Sequence, residues 1–383
     1  MKKLFLNFLS LCMILGLFFV VPSQAAEEIE VKIHGELEYE FSTSNAEDIE
    51  PQFQLDKFVI QPKVKLGDFL KFSAQWYARQ GTKDESESYL NEFHAKFLRL
   101  PLDTYLDFGL FERTLKDHHS RITETYSLYG NAFYRDDSMT IAWGNWEKKH
   151  KAPPFYWLVS VGEGFKIGHK QPAEQTSKYD GSNKDKMIQD DLGPKISLKY
   201  PEAGINIGIN QKLGEAKVDL MGFYYTDKLS ESERRAFERY LSNDQKAKLD
   251  EDNGRQRVGA QANVKIGHSR IFAGFLSAMD AGLGRMSYVF EASYKFKIGE
   301  REIFKSITPV VSYSAYTIDG SPEFTKAESW DRTQIILACI IDVLEKTKFK
   351  VEYIINDEET GGTGTNPTDI DNNEFLVQLE VKF

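Results

Sequence analysis

The sequence predicts an all-β fold: a transmembrane antiparallel β-barrel of about 16 strands, with 14–18 compatible with its spacing. Three observations carry this expectation. Apolar and polar residues alternate with a period of two over stretches of ten to thirteen residues. The connections between stretches are short and long in turn. After residue 26 no apolar run approaches the ~20 residues that a membrane helix requires, and the longest, Ile335 to Ile341, has seven. Strands that cross a bilayer at a tilt need about nine to eleven residues, whereas strands of globular proteins average about five or six.

Composition narrows the field. The chain has 383 residues, 41% of them apolar and 28% charged, with 27 Phe and 18 Tyr. That aromatic content excludes a disordered chain, and that charge excludes a bundle of membrane helices. Acidic residues outnumber basic ones by 58 to 48, which argues against nucleic acid as a partner. Cys12 and Cys339 are the two cysteines, so no paired-cysteine zinc site exists.

Residues 1–25 read as a secretory signal. Lys2 and Lys3 form the positive end, Leu4 to Val21 the apolar core, and Pro22-Ser23-Gln24-Ala25 the small-residue cleavage site. The alternative is an uncleaved anchor, because the core is 18 residues long. Leu11 stands where a lipoprotein signal before Cys12 needs a small residue. Cleavage after Ala25 leaves residues 26–383 as one barrel domain, and its loss of Lys2 and Lys3 makes the chain more acidic.

The strands follow in order. In 31–43, Val31, Ile33, Leu37, Tyr39 and Phe41 fall on one face and Glu36, Glu38 and Glu40 on the other. Further strands are expected at 53–66, 69–80, 89–99, 104–112, 138–147, 155–165, 194–212 and 216–227. The remainder fall at 256–267, 270–279, 286–298, 303–317, 332–343, 347–357 and 374–383. Counting from the periplasm, tight turns such as Gly67-Asp68, Leu213-Gly214-Glu215 and Gly267-His268-Ser269 follow even strands. The long loops 113–137, 166–193, 228–255, 318–331 and 358–373 follow odd ones, as outer-membrane barrels require. This parity makes Pro201-Glu202-Ala203-Gly204 a bulge inside the eighth strand. Pro62 and Pro309 fall within strands, where each removes a ladder hydrogen bond. Ser230 and Glu233 form a capping-box pattern ahead of a helix over Arg234–Leu249.

The chain ends on Phe375, Val377, Leu379, Val381 and Phe383. This ending resembles the C-terminal strand of bacterial outer-membrane proteins, whose last aromatic is read by the barrel-assembly machinery. The resemblance implies a chain exported to the bacterial outer membrane and surrounded by its lipid.

A barrel of about sixteen strands leaves an aqueous lumen, so function lies in its lining. Opposite the apolar set on the second and third strands stand Lys57, Lys63, Lys65, Lys71 and Arg79. Strand one adds Glu36, Glu38 and Glu40, so the wall carries both signs: either an anion path or a wetted surface of mixed charge. The third long outer loop carries Arg113, Lys116, His118, His119, Arg121 and Arg135 against Glu112, Asp117, Glu124, Asp136 and Asp137. Folded inward, such rows of opposite charge would set a transverse field that sorts permeants by charge and size. Lys and Arg facing the path would hold phosphate or carboxylate. The same charges could instead be solvated at the rim.

Leu106-Asp107-Phe108-Gly109-Leu110-Phe111-Glu112, Tyr129-Gly130-Asn131-Ala132-Phe133 and Ser160-Val161-Gly162-Glu163-Gly164-Phe165 look like landmarks of the phosphate-selective porins. That resemblance implies a sixteen-stranded homotrimer with an inward third loop and basic residues in the pore. The family's arginine ladder and lysine cluster find no residue-by-residue match, and the acidic total departs from strong phosphate selection.

Other chemistry is thin. His118 and His119, adjacent on an extended chain, point apart and make a poor metal pair. Asp369 to Glu374 could offer oxygens to Ca²⁺, or simply form an acidic turn. No Gly-x-Ser-x-Gly, Walker or HExxH motif is present, so no cofactor, metal or catalytic residue is expected. The expected function is passive diffusion of small hydrophilic solutes or ions. The alternatives are a plugged barrel that binds a partner, an outer-membrane lipase, for which Ser269 beside His268 is a poor pair, and a soluble periplasmic β-protein.

Overall fold

A computed structural model describes residues 29–44, 51–80, 86–112, 123, 125, 127–129, 137–145, 153–163, 201–229, 234, 253–280, 282–299, 303–318, 329–360, 368–369 and 373–383. The leader 1–25, the helix expected over Arg234–Leu249 apart from Arg234, and residues 194–200 of the eighth strand lie outside these.

Sixteen staves form the wall. They are β1 (Ile29–Ser44), β2 (Gln52–Leu66), β3 (Leu70–Gln80), β4 (Ser86–Leu100), β5 (Thr104–Glu112), β6 (Asp137–Gly144), β7 (Phe155–Glu163) and β8 (Pro201–Leu213). They continue with β9 (Ala216–Lys228), β10 (Gly254–Ile266), β11 (Ser269–Asp280), β12 (Leu283–Tyr294, resumed at Phe296–Lys297), β13 (Ser306–Ile318), β14 (Ser329–Leu344), β15 (Thr347–Thr360) and β16 (Glu374–Lys382). Thr368–Asp369 adds a short rung to β15. Each stave pairs antiparallel with its neighbours, and β1 pairs with β16 from Glu36↔Lys382 to Ser44↔Glu374, closing the barrel.

Closure removes the edges that a membrane cannot tolerate, because every backbone group needs a partner away from water. The outer surface is accordingly apolar: Ile33, Ile141, Phe290 and Val311 are all more than half or about half exposed. Aromatic residues gather toward both ends of this surface. Trp143 meets Trp157 edge-on at 4.9 Å and Tyr294 lies 4.5 Å from Phe296 near the short turns. Near the opposite, long-loop end, Tyr39 stacks on Phe53 at 5.9 Å. Such girdles mark the two interfaces of a membrane barrel, with the short turns on the periplasmic side.

Two-residue turns join Leu213 to Ala216 and Ile266 to Ser269. Gly214 (φ +60°) and Gly267 (φ +56°) take the positive φ that these hairpins require.

The bulge expected at Pro201–Gly204 is absent. The β7–β8 ladder runs unbroken from Glu163↔Pro201 to Phe155↔Ile209, and Pro201 is its first described rung. Pro62 and Pro309 behave alike. The β2–β3 ladder opens between Ile60↔Trp76 and Lys63↔Ser73, and the β12–β13 ladder between Ser293↔Val310 and Phe296↔Ile307. In both the register on either side is the same, so each proline opens rungs without a bulge. Bulges occur elsewhere, with Asp56 extra on β2 against β1 and Asn91 extra on β4 against β3.

Candidate functional site

The inner face is built of two kinds of wall. From β15 through β16 and β1 to β2 it is ionic. Lys57 Nζ lies 3.1 Å from both Glu36 and Glu38. Glu380 receives Lys350 at 2.9 Å and Lys382 at 2.7 Å, and Lys382 also reaches Glu36 at 3.1 Å. The carboxylates of Glu36, Glu38 and Glu380 approach within 4.8 Å of one another. Lysines interleave them, which makes the group an ion-pair network in which the negative charge is already answered.

On the next staves Gln61 donates to Glu92 at 3.2 Å. Asp107, buried on β5, accepts from Lys96 at 3.1 Å and sits 2.6 Å from His94 Nδ1. Lys96 also lies over the Tyr105 ring at 4.5 Å.

Across the barrel, β7–β11 carry rings on the same alternation. Tyr156, Phe223 and Tyr225 are buried, and each packs against a glycine of a neighbouring stave. A Cβ on Gly208 would stand 2.2 Å from the Tyr156 ring, one on Gly204 2.3 Å from Tyr225, and one on Gly259 2.4 Å from Phe223. The hydroxyls are satisfied along the wall, Tyr156 on Asp219 at 2.5 Å and Tyr225 on Asn206 at 2.6 Å.

Above these rings Arg255 grips Asp227 with two hydrogen bonds, one of 2.6 Å. Arg257 and Arg285 flank Ala278 in one row across β10–β12, all three buried. At the short-turn end a second basic row crosses four adjacent staves. Lys212 pairs opposite Lys217, Lys217 opposite Lys265, and Lys265 opposite Arg270. Directly paired residues share a face of the sheet. Arg270 also meets Glu291 at 3.4 Å and Asn263 at 3.2 Å.

A cavity of about 480 Å³ opens at this end between the two walls. Its lining holds seven Lys and Arg, among them Lys57, Lys265, Arg270 and Lys382, against four carboxylates, Glu36, Glu38, Asp342 and Glu380. The local balance is positive in a chain whose total charge is −10.

Thr123 is part of the cavity's lining. It belongs to the connection after β5, whose described residues contact staves far around the ring. Thr125 N donates to Glu352 on β15 at 2.9 Å and Leu128 N to Ser314 on β13 at 3.0 Å. Ser287 on β12 donates to Tyr129 O at 2.5 Å, and Gln261 on β10 to the Tyr129 hydroxyl at 3.1 Å.

The residues expected at the pore fall in three groups. Lys57 joins the ion-pair network, and Lys65 bonds Asp68 in the β2–β3 turn at 2.8 Å. That ammonium, with Arg99 beside it, holds the exposed Asp68 carboxyl below its usual range. Lys63 pairs opposite Lys32 and Ser73, Lys71 opposite Lys65 and Lys96, and Arg79 opposite Glu87. Arg113, Lys116, Arg121 and Arg135 lie outside the described residues, as do His118, His119 and residues 370–372. Lys212, Lys217, Arg270 and Arg285 are not among the residues that the sequence alone singles out. Their signal was present, since each stands at a polar position of an alternating strand, but only cross-strand register assembles them into rows.

No family model and no curated protein matches this chain. Solved structures do match over nearly its whole length. Salmonella typhi OmpF, in complex with daunomycin, aligns with a TM-score of 0.62 at 11% identity, covering 92% of this chain and 97% of that one. The anion-selective porin from Comamonas acidovorans aligns at 0.54 and 10% identity, covering 93% and 99%. The trimer form of Vibrio cholerae OmpT aligns at 0.54 and 15%, covering 93% and 100%. At such identities the likeness is one of fold. A closed sixteen-stave barrel with an apolar outer surface and aromatic girdles is a structure of the bacterial outer membrane.

Proposed function

We propose that this barrel is a passive channel for small hydrophilic solutes, preferring anions such as phosphate, with no catalytic role and no cofactor. The observation that carries the anion preference is the row Lys212–Lys217–Lys265–Arg270. Like charges placed directly opposite across a ladder are destabilising. A wall that keeps four in succession is suited to attract negative permeants from water. The lysines of the second sector, Lys57, Lys63, Lys65 and Lys71, with Arg79, extend the same lining around the lumen. On this reading Arg113, Lys116, Arg121 and Arg135 belong to a connection that narrows the pore. The contacts of Thr125, Leu128 and Tyr129 with the far wall support that placement.

The matching fold of an anion-selective porin supports the preference, and that of a trimeric one supports a homotrimer. The leader 1–25 and the strand Phe375, Val377, Leu379, Val381 and Phe383 fit export and insertion by the barrel-assembly machinery.

The test is reversal potential in a planar bilayer under a KCl gradient. The folded protein is expected to conduct in discrete steps with anions favoured, and the double variant Lys217→Glu, Lys265→Glu to lose or invert that preference. Cation selectivity in the unaltered channel would discard the anion reading, and absence of conductance from a folded barrel would discard the channel.

A further inference from the structure

The described residues between Thr123 and Tyr129 run across the staves instead of along them. Their partners step from Glu352 on β15 through Ser314 on β13 and Ser287 on β12 to Gln261 on β10. The strands that deliver this connection, β5 and β6, stand on the other side of the ring. These described residues therefore lie against the β10–β15 wall, across the ring from the strands that carry the connection. The four hydrogen bonds just named hold them there. They involve backbone groups, two serine hydroxyls, one amide, one phenol and the single carboxylate of Glu352.

The end of this traverse is a fitted contact. Tyr129 is about 1% exposed, and its ring meets Phe272 edge-on at 6.3 Å. Below the ring is Gly274. A Cβ at that position would stand 2.9 Å from Tyr129 Cε2 and Cζ and 3.2 Å from Val289 Cγ1. Any larger residue at 274 must move the ring, because Val289 on the neighbouring stave blocks the other side.

We propose that Tyr129 seated over Gly274 is the positioning contact that fixes where this connection crosses the lumen, and so sets the bore of the pore. Tyr129 is the residue that determines the width, and Gly274 is its socket. The inference rests on the channel reading for its consequence, though not for its geometry. Arg257 and Arg285, almost wholly enclosed, then contribute less to selection than Lys57 and the exposed Lys212, Lys217 and Lys265.

Two readouts on the full-length folded protein separate the socket from the channel. In a Cys339→Ser background, Ser127→Cys places a thiol on the crossing segment at a site about 8% exposed. A membrane-impermeant maleimide should label it slowly, and Gly274→Val should raise the labelling rate at least tenfold. Tyr129→Ala should do the same, and it serves if Gly274→Val does not fold. Gly222→Ala, whose nearest neighbour lies 3.9 Å away, should leave the rate unchanged. Single-channel conductance should change and become noisier in the first two variants alone. Unchanged labelling in a folded Gly274→Val or Tyr129→Ala barrel would overturn the socket. Increased labelling without any conductance in the unaltered protein would uphold the socket and refute the channel.

Discussion

The walls that face each other across this lumen, β15 to β2 on one side and β7 to β11 on the other, follow the same two-residue alternation with opposite materials. The first places Glu36, Glu38 and Glu380 among Lys57, Lys350 and Lys382. The second lays Tyr156, Phe223 and Tyr225 on glycines. Alternation decides only that a residue points inward. What it does there depends on its cross-strand neighbours, and the two solutions respond to different disturbances. An ionic wall is sensitive to a lost charge and to salt, whereas a wall of rings on glycines is sensitive to added volume.

The largest effect should come from breaking the ionic wall at Glu380. Glu380→Ala leaves Lys350 buried beside Gln378 without its carboxylate, and removing one partner of a buried pair costs about 3 kcal/mol. Urea-unfolding midpoints in detergent would measure this, and a loss below the scatter of surface substitutions would show the network to be freely hydrated. On the ring wall, Gly208→Val should cost about 1–3 kcal/mol by driving Tyr156 off its seat. Repeating both measurements in 1 M KCl sharpens the contrast, because screening should reduce the part of the Glu380 effect that comes from half-exposed Lys382 and leave the Gly208 effect unaltered.

The smallest effect belongs to Asp68, at the exposed turn below the ionic wall. Its carboxyl is held low by Lys65 and Arg99, so any stability it contributes is present above the unfolded-state value and lost as pH falls through the folded one. The difference between the unaltered protein and Asp68→Asn should be small at pH 7 and vanish at pH 2. A difference that grew on acidification would contradict the assignment of those partners.

Much of the fold was legible in the sequence because period and parity are local properties. Runs such as Val258, Ala260, Ala262 and Val264 needed no partner to be read as one face of a strand. The bulges were less visible, yet they left a trace. Apolar residues on β2 switch from odd positions at Phe53 and Leu55 to even ones at Phe58 and Ile60, and the extra residue Asp56 sits at the switch. Leu90 and Phe93 bracket Asn91 in the same way. Pro201 was misread because a proline inside a long strand suggested a bulge, whereas the ladder beside it runs without a register shift. The lining was the least legible part. Lys217 and Arg270 are 53 residues apart in sequence, and Lys265 is what brings them into one row.

Those two bulges have a wider consequence. In an open sheet, a strand that gains one residue over its neighbour passes the offset outward until it runs off the free edge. This sheet has no such edge, since β16 returns to β1. The tilt and girth of a closed barrel follow from the sum of its staggers, so Asp56 and Asn91 are terms in a quantity that belongs to the whole ring. Deleting either would turn one segment of its strand inside out, or oblige distant staves to slide until the circle met again.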